Sequence, residues 1–179
     1  MSNLLDKYIF QALDAYPYNL EEAVESLSYA LSYNQNNVIA LGLMGQIYAE
    51  QLKNFEVAKE YYQQALAQDL HALDIYSKYI NVLIWNEDYG EAKKLINFAI
   101  TIKGIDKAMI YLKKAILYEY KAKYKKALKI IKLAKKNTYN NQFLEEIKEE
   151  ETRIKNKIAE KNKLKHKGSK ASSKKSKKK

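Results

Sequence analysis

The sequence has few of the residues that cross-link a chain or form its turns. It has no cysteine, one proline and five glycines among its 179 residues. The absence of cysteine excludes disulfide frameworks, thiolate zinc sites and thiol catalysis. Because β-rich folds need many turn residues, the scarcity of glycine and proline favours a helical architecture.

Long apolar runs are also missing. The stretch 38–45, VIALGLMG, is among the longest, whereas a membrane-spanning helix needs about 20 apolar residues. The first residues lack the basic and apolar segments of a secretory signal. Hydrophobic residues still make up 47% of the chain, which is enough for a packed core. The sequence therefore predicts a soluble, cytoplasmic protein that does not enter a membrane.

The net charge of +11 conceals a division along the chain. Residues 1–100 hold 6 lysines and 13 acidic residues, whereas residues 101–179 hold 26 lysines or arginines and 8 acidic residues. Arginine is nearly absent, since Arg153 is the only one. A basic second half indicates contact with an anionic partner or simply a solvated surface.

Alanine and large residues recur with a period of 34 or 35 residues. The markers are Ala23, Ala58, Ala92 and Ala127, each followed seven residues later by a second alanine. A large residue lies between the two alanines, and Leu, Phe or Tyr lies three residues before the first. Offsets of three, four and seven place these side chains on one helical face. A period of this length indicates a repeat architecture.

A second amphipathic segment precedes each marker, so each unit is predicted to be two antiparallel helices joined by a short turn. The unit resembles the tetratricopeptide repeat, a helix–turn–helix of 34 residues. The residues that carry the resemblance are Leu41, Met44, Gly45, Tyr48, Ala58, Tyr62, Ala65 and Leu70. Ile80 and Lys114 depart from the pattern, at a small-residue site and a leucine site respectively. The alternative is an irregular helical bundle whose spacing is fortuitous.

The predicted fold is all-α, a right-handed α-solenoid of antiparallel helix pairs like the tetratricopeptide superhelix. Four units are expected at about 1–35, 36–70, 71–105 and 106–140. Residues 141–166 are predicted to form a capping helix with an apolar stripe that includes Phe143, Ile147 and Ile154. A coiled-coil seam is the alternative for that helix. The Lys-rich segment 167–179 is predicted to be disordered.

No constellation of residues supports catalysis, a cofactor or a metal. His71 and His166 have no nucleophile or ligand set near them in the sequence. Glu149, Glu150 and Glu151 are consecutive, so on a helix they point in different directions and do not converge on one ion. The protein is therefore predicted not to be an enzyme.

The resemblance implies that the leading helix of each pair lines a concave, partner-binding surface. The candidate groove residues are Ile39, Gln46, Glu50, Asp74, Ser77, Asn81, Ile84, Trp85, Met109, Leu112, Ile116 and Tyr120. Trp85 and Tyr120 would be its exposed aromatic anchors. The alternative for Trp85 is packing against the neighbouring repeat.

One use of the family is a carboxylate clamp that captures the C-terminus of heat-shock chaperones. The clamp requires a Lys and an Asn one helical turn apart on the first groove helix. Gly42 and Gln46, or Ser77 and Asn81, stand where that pair would be. The chaperone clamp is therefore predicted to be absent.

The predicted function is a non-catalytic adaptor that binds a peptide or helix of a protein partner, which the sequence does not name. The alternative is a nucleic-acid- or ribosome-associated protein that makes weak, non-specific contacts through its basic half. The candidate polyanion contacts are Lys121, Lys125, Lys129, Lys132, Lys174 and Lys175. A solubilising role is the alternative for the Lys-rich tail.

Overall fold

The computed structural model describes residues 2–175, and the side chains of residues 5–163. Within this part of the chain there are nine α-helices and no strand. They are α1 (Ser2–Ala15), α2 (Leu20–Tyr33), α3 (Val38–Glu50), α4 (Phe55–Gln68), α5 (Leu73–Trp85), α6 (Tyr89–Ala99), α7 (Lys107–Tyr120), α8 (Tyr124–Lys136) and α9 (Asn141–Lys175). The all-α prediction is confirmed. None of these helices is long and apolar enough to span a bilayer.

Asn and Asp side chains begin several of the helices. Asn19, Asn37, Asn54 and Asp106 each accept a hydrogen bond from the backbone N–H three residues later. These N-caps satisfy one of the N–H groups that a helix leaves without an internal partner. The helix starts therefore follow from polar residues placed just before each apolar-periodic segment.

A left-handed residue recurs in the turns inside the last three helix pairs. Lys53, Glu87 and Ala122 have φ of 53°, 62° and 52°, and they lie 34 and 35 residues apart in the sequence. Non-glycine residues adopt this conformation at a cost of roughly 1–2 kcal/mol. The same turn geometry is thus kept in three pairs although three different residues occupy it.

The chain divides into two compact units, Met1–Ile105 and Asp106–Lys179. In the first unit, α1 pairs with α2, α3 with α4, and α5 with α6. Successive pairs also pack on one another, because α2 contacts α3, and α5 contacts both α4 and α3. This stacking of helix pairs is the arrangement that the repeat period predicts.

The start of the first unit has its own apolar core. Leu27, Ala12 and Ala23 are completely buried there, in one cluster with side chains of α3. Tyr8 of α1 stacks on Tyr29 of α2, with ring centroids 5.2 Å apart. Small residues let the helices approach closely while the large ones fill the space between them.

Gly45 and Tyr62 hold α3 against α4. Tyr62 is 1% exposed, and a Cβ at position 45 would lie 2.8 Å from the Cε1 atom of its ring. The absence of a side chain at position 45 therefore makes room for the ring. This contact gives the physical reason for the small residue at this site of the repeat.

The second unit consists of α7, α8 and α9. Ile131 and Ala134 of α8 form one buried cluster with Phe143, Ile147 and Ile154 of α9. The apolar stripe of α9 is thus buried within its own chain, where the capping-helix interpretation places it. Lys135 and Glu151 form an ion pair that also joins α8 to α9.

A buried carboxylate joins α7 to α9. The side chain of Glu119 is 2% exposed, and its Oε2 accepts a hydrogen bond of 2.6 Å from Arg153 Nη2. Its Oε1 lies 2.7 Å from Lys157 Nζ as an ion pair. Because two cations of α9 meet one anion of α7, the helices are fixed by charge as well as by apolar contact.

The end of α9 differs from the sequence prediction. A helix end near residue 166 and a disordered segment 167–179 are expected, but α9 continues to Lys175. Residues 167–175 have no proline, and their lysines and Ala171 are good helix formers, although Gly168 and three serines lower the helix propensity. Residues 176–179 lie outside the described part of the chain.

Candidate peptide-binding surface

The leading helices of the first three pairs meet around a cavity in the first unit. Its volume is about 180 Å³. It is lined by Leu13 of α1, by Val38, Ile39, Gly42, Leu43 and Gln46 of α3, and by Asp74, Ile75 and Lys78 of α5. The structure thus brings together three of the predicted groove residues, Ile39, Gln46 and Asp74.

Two large apolar side chains of this cavity are open to solvent. Ile39 is 57% exposed and Leu13 is 45% exposed. Exposed apolar side chains beside a concavity are typical of a surface that binds a partner. Sequence reasoning did not select Leu13, because the first repeat matches the pattern poorly before Pro17.

Gly42 keeps the cavity open. It lies in the cavity wall, and a Cβ at this position would lie 3.3 Å from Ile75 Cδ1. Any larger side chain would extend into the empty space or displace Ile75. Gly42 is one of the two positions at which the lysine of a chaperone clamp was expected, and here it borders a recess.

A polar network lies on the same helices. The Tyr16 hydroxyl donates a hydrogen bond of 2.7 Å to Glu50 Oε2. Gln46 Nε2 donates to the same carboxylate oxygen at 3.1 Å and to the Tyr16 hydroxyl at 3.3 Å. Burial and the hydrogen bond to Glu50 raise the pKa of Tyr16 further above its ordinary value near 10. Two predicted groove residues, Gln46 and Glu50, are therefore fixed in place.

Asp74 and Lys78 add charge beside the cavity. They form an i,i+4 ion pair of 3.5 Å on α5, with 72% and 33% of their side chains exposed. An exposed pair of this kind contributes little to folding. Its charges remain accessible to polar groups of a bound peptide.

Trp85 packs against a neighbouring repeat and is also partly exposed. Its ring lies 5.9 Å from that of Phe55 on α4, so it packs against the preceding repeat. It is also 40% exposed, and this edge remains available to a partner.

The remaining α5 residues are less accessible. Ser77 and Asn81 are half-buried, and Ser77 Oγ donates to the Asp74 carbonyl at 3.3 Å. Ile84 is 1% exposed. The prediction that Ile84 faces a partner is therefore wrong, because α5 buries more than one face and Val82, Leu83 and Ile84 all lie in the core.

In the second unit the predicted groove residues are divided. Tyr120 is 52% exposed, whereas Met109 and Ile116 are half-buried. Leu112 is 6% exposed and belongs to the cluster that contains Phe143. Its predicted place on the groove surface is wrong, because the core that includes α9 covers it. Met109 lines a separate cavity of about 380 Å³ near the starts of α7 and α9.

Metal-ligating side chains do not converge in the described residues. No group of three or more His, Cys, Asp or Glu side chains there is close enough to hold an ion. His71 is exposed in the turn before α5. The arrangement of the first unit offers apolar contact and hydrogen bonding.

Many solved structures resemble the chain, among them the following three. PilF from Pseudomonas aeruginosa superposes with a TM-score of 0.74 at 19% identity, over 89% of this chain and 71% of that one. A tetratricopeptide repeat protein from Parabacteroides merdae gives 0.68 at 20% identity, over 88% of this chain and 59% of that one. MamA gives 0.64 at 17% identity, over 93% and 96%.

No protein-family model and no curated protein sequence matches the chain. Although the sequence identity is low, the structural similarity is extensive. This similarity shows that the chain has the all-α solenoid fold of tetratricopeptide repeat proteins.

Proposed function

We propose that the protein is a non-catalytic adaptor that binds a peptide segment of a protein partner on the first unit. The observation that carries this proposal is the cavity between α1, α3 and α5, with Leu13 and Ile39 exposed beside it. A cytoplasmic location remains part of the proposal.

The cavity accepts one apolar side chain of an extended or helical peptide. Its volume of about 180 Å³ is far below the 300–1,000 Å³ or so of typical small-molecule sites. The network of Tyr16, Gln46 and Glu50 offers polar groups that are already ordered. Ordered side chains bind without a further loss of rotamer entropy.

A peptide selection with matched variants tests the proposal. Peptides are selected from a random library on the full chain, and their dissociation constants are measured by fluorescence anisotropy. Ile39→Arg places a charge at the cavity and is expected to weaken the selected peptides at least tenfold. Leu70→Arg is the control, because Leu70 is 54% exposed and lies in the turn between α4 and α5.

Equal affinities of the selected peptides for the Ile39→Arg variant and the unaltered protein would contradict the proposal.

Trp85→Ala distinguishes the two roles of that residue. It is expected to lower the free energy of unfolding through loss of the Phe55 contact, and to weaken only those peptides that reach the exposed edge of the ring.

A second candidate function is the binding of a polyanion by the second unit. Lys125, Lys129 and Lys132 are exposed on α8 and form no ion pair with the described residues. Lys121 is exposed at the end of α7, and the side chains of Lys174 and Lys175 lie outside the described part. Binding of this kind weakens steeply as salt concentration rises, which an oligonucleotide titration at two salt concentrations measures.

A further inference from the structure

A basic cavity lies in the second unit. Its volume is about 410 Å³. It is lined by the turn before α8, the first turn of α8 and the middle of α9: Ala122, Lys123, Tyr124, Lys125, Lys126, Ile158, Lys161 and Asn162. The two helices that form it, α8 and α9, are held together by the ion pair of Lys135 with Glu151 and by the core of the second unit.

Four lysines line this cavity with no acidic residue among the lining side chains. Lys123, Lys125, Lys126 and Lys161 are all exposed, and none forms an ion pair with a residue whose side chain the structure describes. Other lysines of the unit, such as Lys135 and Lys157, are paired with carboxylates. The cavity therefore concentrates positive charge that no described residue neutralises, and it selects an anion.

The rest of the lining is suited to a planar, partly apolar group. Tyr124 and Ile158 form an apolar wall, and Lys161 Nζ lies 5.7 Å from the centroid of the Tyr124 ring. Asn162 supplies an amide that can both donate and accept hydrogen bonds. A free phosphate would use the lysines and leave this wall without a contact.

A row of further lysines leads away from the cavity along α8. Lys125, Lys129, Lys132 and Lys136 follow one another at intervals of four, three and four residues and are all exposed. These intervals place them on one helical face, over a length of about 16 Å at 1.5 Å per residue. A ligand that meets all of them carries several anionic groups in succession, which favours a nucleic acid over a peptide with one phosphate.

We propose that the second unit binds single-stranded nucleic acid, with one nucleotide in this cavity and the following phosphates along the lysine row of α8. The base lies against Tyr124 and Ile158 within reach of Asn162, and the lysines contact phosphates. Basic grooves with aromatic side chains bind single strands in this way without strict sequence preference. The proposal rests on the second candidate function, polyanion binding, and is independent of the peptide surface of the first unit.

Two kinds of variant test the proposal in the full chain. Lys125→Gln with Lys126→Gln removes two phosphate contacts. Lys93→Gln with Lys94→Gln is the control, since these residues are adjacent and exposed on α6 and the net charge changes equally. Tyr124→Leu removes the aromatic ring from the cavity wall but keeps an apolar side chain and leaves the charge unchanged. Binding of a labelled ten-nucleotide single strand is measured by fluorescence anisotropy at several salt concentrations, and circular dichroism monitors the fold.

The expected results differ between the variants. The α8 double variant lowers the slope of log affinity against log salt by about 1.4, since each contact to a single strand contributes about 0.7. The α6 control leaves the slope unchanged. Tyr124→Leu leaves the slope unchanged and lowers affinity about tenfold, the order of one lost stacking contact with a base.

Three results would overturn the proposal. Undiminished affinity of the Tyr124→Leu variant would remove the cavity as a nucleotide site while leaving polyanion binding by the lysine row intact. No binding at low salt would remove both the cavity and the second candidate function. Equal competition by a phosphoserine peptide of the same net charge would show that the cavity selects phosphate without the base.

Discussion

At the scale of single residues, the contact between α3 and α4 depends on what position 45 lacks. The ring of Tyr62 occupies the space that a Cβ of Gly45 would need. Because Tyr62 is buried, its ring has no solvent into which it can move. Gly90 offers a contrast, since a Cβ there would meet no atom within 4 Å.

Gly45→Ala is therefore expected to destabilise the protein by about 1–2 kcal/mol. Overpacking costs roughly 1–3 kcal/mol, and the better helix propensity of alanine offsets up to about 1 kcal/mol. Gly90→Ala gains the propensity without the clash, so it is expected to be neutral or stabilising. Urea unfolding followed by circular dichroism measures both variants, and equal stabilities would contradict the role assigned to Gly45.

A second residue-scale feature is the charge network around Lys59. Its Nζ lies 2.7 Å from Asp88 Oδ2, and Asn86 Nδ2 donates to the same oxygen at 2.8 Å. The hydrogen bonds from Asn86 and Lys59 hold the pKa of Asp88 below its ordinary value of 3.8. A carboxyl group with a lowered pKa stabilises the folded state above its unfolded pKa and ceases to do so as pH falls through the folded value.

Lys59→Met is expected to reduce the free energy of unfolding at pH 7 by about 1 kcal/mol, because solvent screens this partly exposed pair. The difference between the variant and the unaltered protein should stay constant above about pH 5 and shrink below about pH 4. Urea unfolding across this range measures it. A difference that grows on acidification would contradict the assignment to Asp88 and Glu56, the two carboxylates that pair with Lys59.

At the scale of helices, α9 combines an apolar contact with an ionic one. Ile147 and Ile154 are completely buried, and the cations of α9 neutralise Glu119 of α7. A buried carboxylate that loses its counterions is destabilising, because water cannot replace them. The docking of α9 therefore depends on the cations as well as on the apolar stripe.

Substitution of both cations tests this dependence. Arg153→Met with Lys157→Met is expected to cost about 2 kcal/mol, less than for a fully buried pair because both cations are half-exposed. Glu119→Gln in that background should recover part of the loss. Urea unfolding gives the free energies, and hydrogen exchange of α9 shows whether it undocks. A double variant as stable as the unaltered protein would refute the ionic contribution.

The structure also shows which helices the sequence describes well. Offsets of three, four and seven predict the inward faces of α4 and α8, where Ala58, Tyr62, Ala127 and Ile131 are buried as expected. The pattern fails for α5, since a helix enclosed on several sides has no clear polar face and Ile84 cannot be told from an exposed residue. The pattern also fails at Leu112. This residue is buried by packing in the core that includes α9, and a tertiary contact of this kind is not encoded in the periodicity of α7.

At the scale of the whole molecule, the period of 34 or 35 residues was sufficient to predict an all-α solenoid of helix pairs. The repeat period does not indicate where cavities lie between the helices. The cavity of the first unit depends on Gly42, Leu13 and Lys78, which come from three helices and share no motif. For this reason the resemblance to the tetratricopeptide repeat identified Ile39, Gln46 and Asp74 as groove positions. It did not predict the cavity that these residues line.

The placement of α9 has a thermodynamic consequence for the second unit. One wall of the basic cavity, with Ile158, Lys161 and Asn162, exists only while α9 is docked. A ligand that binds only the docked form shifts the equilibrium toward that form by RT ln(1 + [L]/Kd). Salt would act on both sides of this linkage, but it would screen the contacts to ligand phosphates more than the ion pairs of the buried Glu119. Ligand binding and the docking of α9 would then both weaken as ionic strength rises, the first more steeply than the second.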